Sequence, residues 1–184
     1  MTFPATGIHT HRLLLLPAHP SHARAVQAYL LQNRDFLQPW EPLRDEAFFE
    51  LTAITERLET LADKTANGEA LHLLIFSHGT IIGACNFSNI VRGAFQACHL
   101  GYALAESAQG KGLMQEALTA AIAHVFNAMQ LHRIMANYRP ENERSARLLA
   151  RLGFEREGEA RAYLKINGVW ADHVLTALIN PNDI

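Results

Sequence analysis

The sequence predicts an α/β protein with helices layered on one mixed sheet, and three observations predict it. Apolar residues recur at three-to-four spacing in long stretches, while short runs rich in Ile, Leu, Val and Phe lie between turn pairs. The order of these segments is strand, two helices, three strands, helix, strand, helix, two strands, which is not the repeating βαβ array of a doubly wound sheet. The 184 residues are 49% apolar and 18% charged, enough for one core without metal or disulfide staples. One domain spanning 1–184 is expected.

The first strand is the run Arg12 to Leu16, stopped by Pro17 and Pro20, since proline donates nothing to a sheet ladder. Ser21 is placed to cap a helix to about Asn33, with Ala25, Ala28, Tyr29 and Gln32 as a modest stripe. Gln38-Pro-Trp-Glu-Pro42 reads as irregular, because each proline disfavours helical geometry in the residue before it. A second helix carries Phe48, Leu51, Ile54, Leu58 and Leu61 on one side and ends at Asn67-Gly68. Leu71–Phe76 and Thr80–Phe87 flank His78-Gly79 as a hairpin, and a third strand runs from about Ala94 to Ala105. The long helix from Gly112 to Gln130 aligns Met114, Leu118, Ile122, Val125, Phe126 and Met129. A strand at His132–Tyr138, a helix from Asn142 to Leu152 broken by Gly153, and a hairpin of Phe154–Tyr163 and Val169–Leu178 around Asn167-Gly168 complete the chain.

Composition excludes several classes of function. No apolar run approaches the roughly 20 residues of a membrane helix, no signal peptide is expected at the N-terminus, and a cytoplasmic, reducing compartment follows. A formal charge of −2 argues against a dedicated nucleic-acid binder. Two cysteines, Cys85 and Cys98, make no disulfide framework and read as inert core thiols. The ten histidines lack metal-ligand spacing, so no metal is expected.

The stretch richest in chemistry is Gln109-Gly110-Lys111-Gly112-Leu113-Met114, between a strand and the long helix. Its two glycines allow a tight turn that exposes successive N–H groups at the positive end of a helix, a natural anion site. Two common phosphate loops do not match. The dinucleotide fingerprint requires glycine where Gln115 stands, and the nucleoside-triphosphate loop requires Ser or Thr after Gly-Lys. A ligand-free glycine turn is the competing reading. With the phosphate site built from main chain, Lys111 stands out as the local cation. Further on, Asn142 as N-cap puts Ser145 at the third helical position, where simple capping would also account for the pair.

These motifs together resemble the GNAT acetyltransferase superfamily: a Gln-x-x-Gly loop after a strand, then an Asn-x-x-Ser helix ending Leu152-Gly153-Phe154. Asn33–Pro42, Gln109–Met114, His132–Tyr138 and Asp172–Leu178 are similar in detail to its ribosomal-protein alanine N-acetyltransferase branch. The resemblance implies a seven-stranded, mostly antiparallel sheet splayed between its fourth and fifth strands and flanked by about four helices. It implies acetyl-CoA in that splay, with the backbone of Tyr102, Ala103 and Leu104 on the pantetheine arm. The loop Gln109, Gly110, Lys111, Gly112, Leu113, Met114 and Gln115 would hold the pyrophosphate. Asn142 would contact pantetheine, and Ser145 would protonate the departing thiolate. Met114, where the family often has glycine or alanine, should narrow the space beside the phosphate.

The implied acceptor is the N-terminal alanine of a small-subunit ribosomal protein, met on the ribosome or an assembly intermediate by a monomer or weak dimer. Membrane and sequence-specific nucleic acid are not expected partners. Phe36, Trp40 and Glu41, with Asp45 and Glu46, would form the acceptor wall, though a solvated acidic helix start is the alternative. Carboxylates serve as base at two positions in related enzymes, and here those positions hold Asn137 and Ala162. An α-amine of pKa near 8 needs only a weak base, so Asn137 is expected to hold a relaying water, with Glu159 or His99 as terminal acceptor. Two other functions remain: acetylation of a small amine or drug, and a non-catalytic CoA-binding assembly factor.

Overall fold

The computed structural model describes residues 3–4 and 6–183. Its elements are β1 (Ile8–His9), β2 (Leu14–Pro17), α1 (Ala23–Gln32), α2 (Arg34–Leu37), α3 (Leu51–Ala66), β3 (Leu71–Ser77), β4 (Thr80–Val91) and β5 (Ala97–Leu104), then α4 (Leu113–Asn127), β6 (Arg133–Tyr138), α5 (Glu143–Arg151), β7 (Glu155–Ile166) and β8 (Val169–Ile179). The strands form one sheet in the order β1-β2-β3-β4-β5-β6-β8-β7, antiparallel except where β5 meets β6. This is the mixed α/β architecture that the resemblance implies, with eight strands and five α-helices among the described residues rather than seven and four.

The extra strand is the short β1, pairing Ile8 with Leu15 on β2. The extra helix is the short α2, which follows directly on the expected end of the first helix at Asn33. Asn33 leaves helical geometry (φ −110°, ψ 9°). Its buried side chain donates to Tyr29 O at 2.9 Å and accepts from Glu106 N at 3.1 Å. A buried amide with both ends satisfied holds the chain break in place and ties it to the segment after β5.

Two local expectations are corrected. Ser21 caps no α-helix; the His19 ring accepts from Ser21 N at 3.2 Å and starts a 3-10 turn over Pro20–His22. The buried stripe of α1 is therefore Ala23, Val26 and Tyr29, while Ala25 and Ala28 are exposed. The segment Gln38–Trp40 is also a 3-10 turn rather than irregular, with Gln38 helical (φ −48°, ψ −42°) despite the following proline. Pro39 lies in the first turn, where no N–H is needed. Glu41, extended at φ −117° and ψ 162° before Pro42, obeys the usual restriction.

The remaining patterns form as expected. His78 and Gly79, and Asn167 and Gly168, all have positive φ and make tight two-residue hairpins. All six apolar positions expected along the long helix are buried. Cys85 and Cys98 are fully buried, and burial pushes both thiols up to about 12, which leaves them unreactive at neutral pH. No helix among the described residues is long and apolar enough to cross a membrane.

The feature that positions the site is the partial contact of β5 with β6. Ala97, Cys98 and His99 pair with Arg133, Ile134 and Met135, and there the pairing stops. The other edge of β5 stays bonded to β4 as far as Leu104. Downstream of His99 the two parallel strands diverge, leaving one edge of β5 open.

Candidate active site

Main-chain alternation tells which groups face the opening. Ala105 N donates to Ile82 O at 2.7 Å, so odd-numbered residues of β5 face β4; Gln96 O accepts from His132 N at 2.8 Å, so even-numbered ones face β6. Beyond the last pair, at His99 and Met135, the peptide groups of Tyr102 and Leu104 therefore point into the gap with no strand to bond. Leu104 O is taken by the Gln109 side chain at 3.0 Å, which leaves Leu104 N–H as a donor facing the cleft. Ala103 bonds to Ala84 on β4, so it supplies wall rather than hydrogen bonds.

A cleft of about 560 Å³ opens along this edge. Tyr102, Ala103 and Leu104 form its floor, Gln109 and Met114 one end, and Asn142 and Ser145 one side. Phe36, Trp40 and Glu41 close the other side. Ten of the residues singled out in the sequence thus meet in one cavity.

The glycine loop sits at the cleft's end. Gly110 and Gly112 have φ of +74° and +72°, conformations that L side chains rarely adopt, and Gly112 starts α4 with no side-chain cap. The first N–H groups of α4, from Leu113 to Gln115, are thus left for an anion. The loop is locked from behind. Glu116 accepts from Thr10 Oγ1 at 2.6 Å, Arg12 N at 2.8 Å and Arg12 Nε at 2.7 Å, and Arg12 also donates to Lys111 O at 2.9 Å. Burial would raise the Glu116 carboxyl, but these bonds outweigh it and hold the group below the ordinary carboxylate value. Lys111 itself donates to Ser107 O at 2.8 Å. It is not the sole cation near the site, because Arg144 and Arg147 of α5 also line the cleft. The sequence shows both arginines beside Ser145; only the helix's orientation turns them toward the cavity.

At the centre, Ser145 is the third residue of α5, with its N–H bonded to Asn142 Oδ1 at 3.1 Å. Its hydroxyl meets Tyr102 Oη at 2.6 Å. Burial pushes the Tyr102 phenol up to about 12, opposed by the bond to Ser145, so the pair carries its protons at neutral pH. Sequence reasoning gave Tyr102 a backbone role alone. Its distance from Ser145 along the chain hides this partnership.

The acceptor side is held by backbone ties. Arg139 Nη1 donates to Pro39 O at 2.8 Å, the Arg139 Cζ lies 5.7 Å from the Trp40 ring centre, and Asn167 N donates to Glu41 O at 2.8 Å. Asp45 and Glu46 do not join the wall. Asp45 caps Phe48 N at 3.0 Å, and Glu46 pairs with Arg34 at 2.5 Å.

The structure does not bring Asn137 into the cleft. Its amide instead donates to Tyr163 Oη of β7 at 3.3 Å. Ala162 lies in a bulge of β7 at φ 47°, its N–H bonded to Asp172. Glu159 pairs with Arg156 at 2.6 Å. The His99 ring is half-buried, and burial lowers its pKa.

Comparison with known proteins agrees with this geometry. Residues 12–155 match the family model described as an acetyltransferase (GNAT) domain. The chain is 48% identical to the [ribosomal protein uS5]-alanine N-acetyltransferase of Escherichia coli K12, over 97% of this chain and 93% of that protein. A ribosomal-protein-S5-alanine acetyltransferase from Vibrio fischeri superposes with a TM-score of 0.91 at 41% identity, covering 95% of this chain and 96% of that one. RimJ from Mycobacterium smegmatis, solved in complex with CoA-disulfide, gives a TM-score of 0.88 at 33% identity, over 93% and 83% of the two chains.

Proposed function

The chain belongs to the GNAT acetyltransferase family, and from that membership we propose that it acetylates the N-terminal alanine of a ribosomal protein by direct attack of the amine on the acetyl-CoA thioester. It is an acetyl-CoA-dependent N-acetyltransferase. The substrate in this reading is taken from the relatives named for uS5 alanine acetylation. The observation that carries the mechanism is the Tyr102–Ser145 hydroxyl pair beside the open edge of β5, in the same cleft as Trp40 and Glu41.

In this reading residues 1–184 work as one catalytic domain in the cytoplasm. The pantetheine arm lies along the free peptide groups of Tyr102 like an added strand, with Asn142 at its side. The pyrophosphate rests on the N–H groups from Gly110 to Gln115, where each bond to a charged acceptor contributes roughly 1.5–3 kcal/mol. Leu104 N–H faces the thioester carbonyl and stabilises the oxyanion that forms on attack. Ser145 gives its proton to the leaving sulfur, with the Tyr102 hydroxyl holding the serine in place. Phe36 and Trp40 hold the acceptor's first residue over the thioester, and this orientation contributes much of the rate.

The test is thiol release from acetyl-CoA with alanine-initiated basic peptides, set against polyamines and aminoglycosides, with mass spectrometry placing the acetyl group. Turnover of the peptides with the acetyl group on the α-nitrogen is expected. Turnover of small amines alone would replace the ribosomal acceptor, and tight acetyl-CoA binding without release on any amine would make the protein a CoA-binding factor.

A further inference from the structure

We propose that Glu41 is the proton acceptor for the incoming α-ammonium group, an assignment that rests on the acetyl-transfer reading of the cleft. Neither Asn137 nor Ala162 has a side chain that accepts a proton, and neither lines the cleft. Any base must then come from what lines the cavity.

Three carboxylates line it among the described residues: Glu41, Glu141 and Glu143. Glu141 is paired with Arg139, and Glu143 with Arg147 at 2.9 Å. Glu41 alone of the three has neither an ion pair nor a side-chain hydrogen bond among the described residues. Its backbone is nonetheless fixed from both sides, through its N–H to Gln38 O at 3.4 Å and its carbonyl from Asn167 N at 2.8 Å. A carboxylate on a pinned backbone, opposite the Ser145 wall and without a cation bound to it, is the group in this cleft free to take a proton.

The surroundings agree. Tyr29 of α1 lies close enough for the Glu41 charge to raise its phenol, yet its buried hydroxyl bonds to nothing described and so does not stabilise the carboxylate. Arg34 of α2 is occupied by Glu46, and Arg44 acts only through its charge. Arg144 and Arg147 of α5 line the same cleft, and Arg147 is already paired with Glu143. Burial pushes the Glu41 carboxyl upward and Arg44 pulls it partly back, for a net rise toward the pH at which the enzyme works. A base poised nearer neutrality is better matched to an ammonium of pKa near 8.

The protons balance. The ammonium gives one proton to Glu41, and the freed nitrogen lone pair bonds to the thioester carbonyl carbon. Collapse breaks the carbon–sulfur bond, and sulfur leaves with its electron pair. Ser145 passes its proton to sulfur and takes one from nitrogen, the amide keeps the last, and Glu41 releases its proton to water.

The experiment compares wild type, Glu41→Gln and Glu41→Asp, measuring kcat from pH 6 to 9.5 with an alanine-initiated peptide and acetyl-CoA affinity alongside. Glu41→Gln is expected to lose about 100-fold in kcat at pH 7 with acetyl-CoA affinity unchanged. Its acidic limb should move up from the wild-type position to near 8, the amine's own value, so that the deficit shrinks at high pH. Glu41→Asp, which keeps the charge and serves if the glutamine variant misfolds, should fall between the two and retain the wild-type limb. Wild-type kcat in either variant, or a rise in peptide KM with an unmoved limb, overturns the assignment. If the wild type acetylates only small amines, the alanine acceptor fails by itself, and the same pH comparison on that amine still decides Glu41.

Discussion

The two walls of the cleft are built on different principles. The cofactor wall consists of main chain: the open edge of β5, the glycine loop and the first turn of α4, braced by Thr10, Arg12 and Glu116. The acceptor wall consists of side chains on the 34–41 segment, joined to the rest by single bonds from Arg139 and Asn167, with Trp40 still 40% exposed. Main-chain donors offer the same groups whatever the side chains are, so they suit a cofactor that never changes. Side chains set shape and charge, so they suit the choice of acceptor.

Substitutions in each wall should therefore separate binding of the two substrates. After Glu41→Gln, the largest effect is expected where the walls meet. Ser145→Ala should lower kcat by about tenfold or more while acetyl-CoA affinity stays near wild type, measured by steady-state thiol release and calorimetry; unchanged kcat would remove Ser145 from the reaction. Trp40→Ala should raise peptide KM about fivefold, consistent with loss of about 1 kcal/mol of apolar contact, and leave acetyl-CoA binding alone. A matching loss of acetyl-CoA affinity would dissolve the division between the walls.

Glu116→Ala tests the brace and should do the reverse. It should weaken acetyl-CoA about threefold, leave peptide KM in place, and cost about 1–2 kcal/mol of stability by freeing its donors. The same brace should respond to acid. Glu116 titrates below its unfolded value, so its contribution is complete above the ordinary carboxylate value of about 4.3 and is lost as pH falls through the lower folded value. Thermal melts of wild type and variant should accordingly converge at low pH. The smallest effect is expected from Lys111→Ala, at most about twofold in acetyl-CoA affinity, because the lysine already bonds Ser107 O and two arginines line the cleft.

Most of the fold was legible because it is periodic. The α4 stripe, the two positive-φ turn pairs and the Asn142 cap are local rules, and each appears where the pattern put it. The misses are places where a distant partner outweighed a local rule. The short helix α2 follows Asn33, whose buried amide is completed by Glu106, 73 residues away, and Gln38 is helical before a proline in a turn that Arg139 holds through Pro39 O.

The site divides along the same line. Residue types and spacing by themselves determined the anion loop, the Asn142–Ser145 cap and the family resemblance, since these depend on chain geometry over a few residues. Tertiary structure alone decided that β5 parts from β6 after His99, that Tyr102 meets Ser145 across 43 residues, and that Glu41 lines the cleft while Asn137 bonds Tyr163 outside it. The physical reason is one of range. A turn or a cap is settled by its neighbours' dihedral angles, whereas a shared proton depends on which strands stay paired and which are held apart.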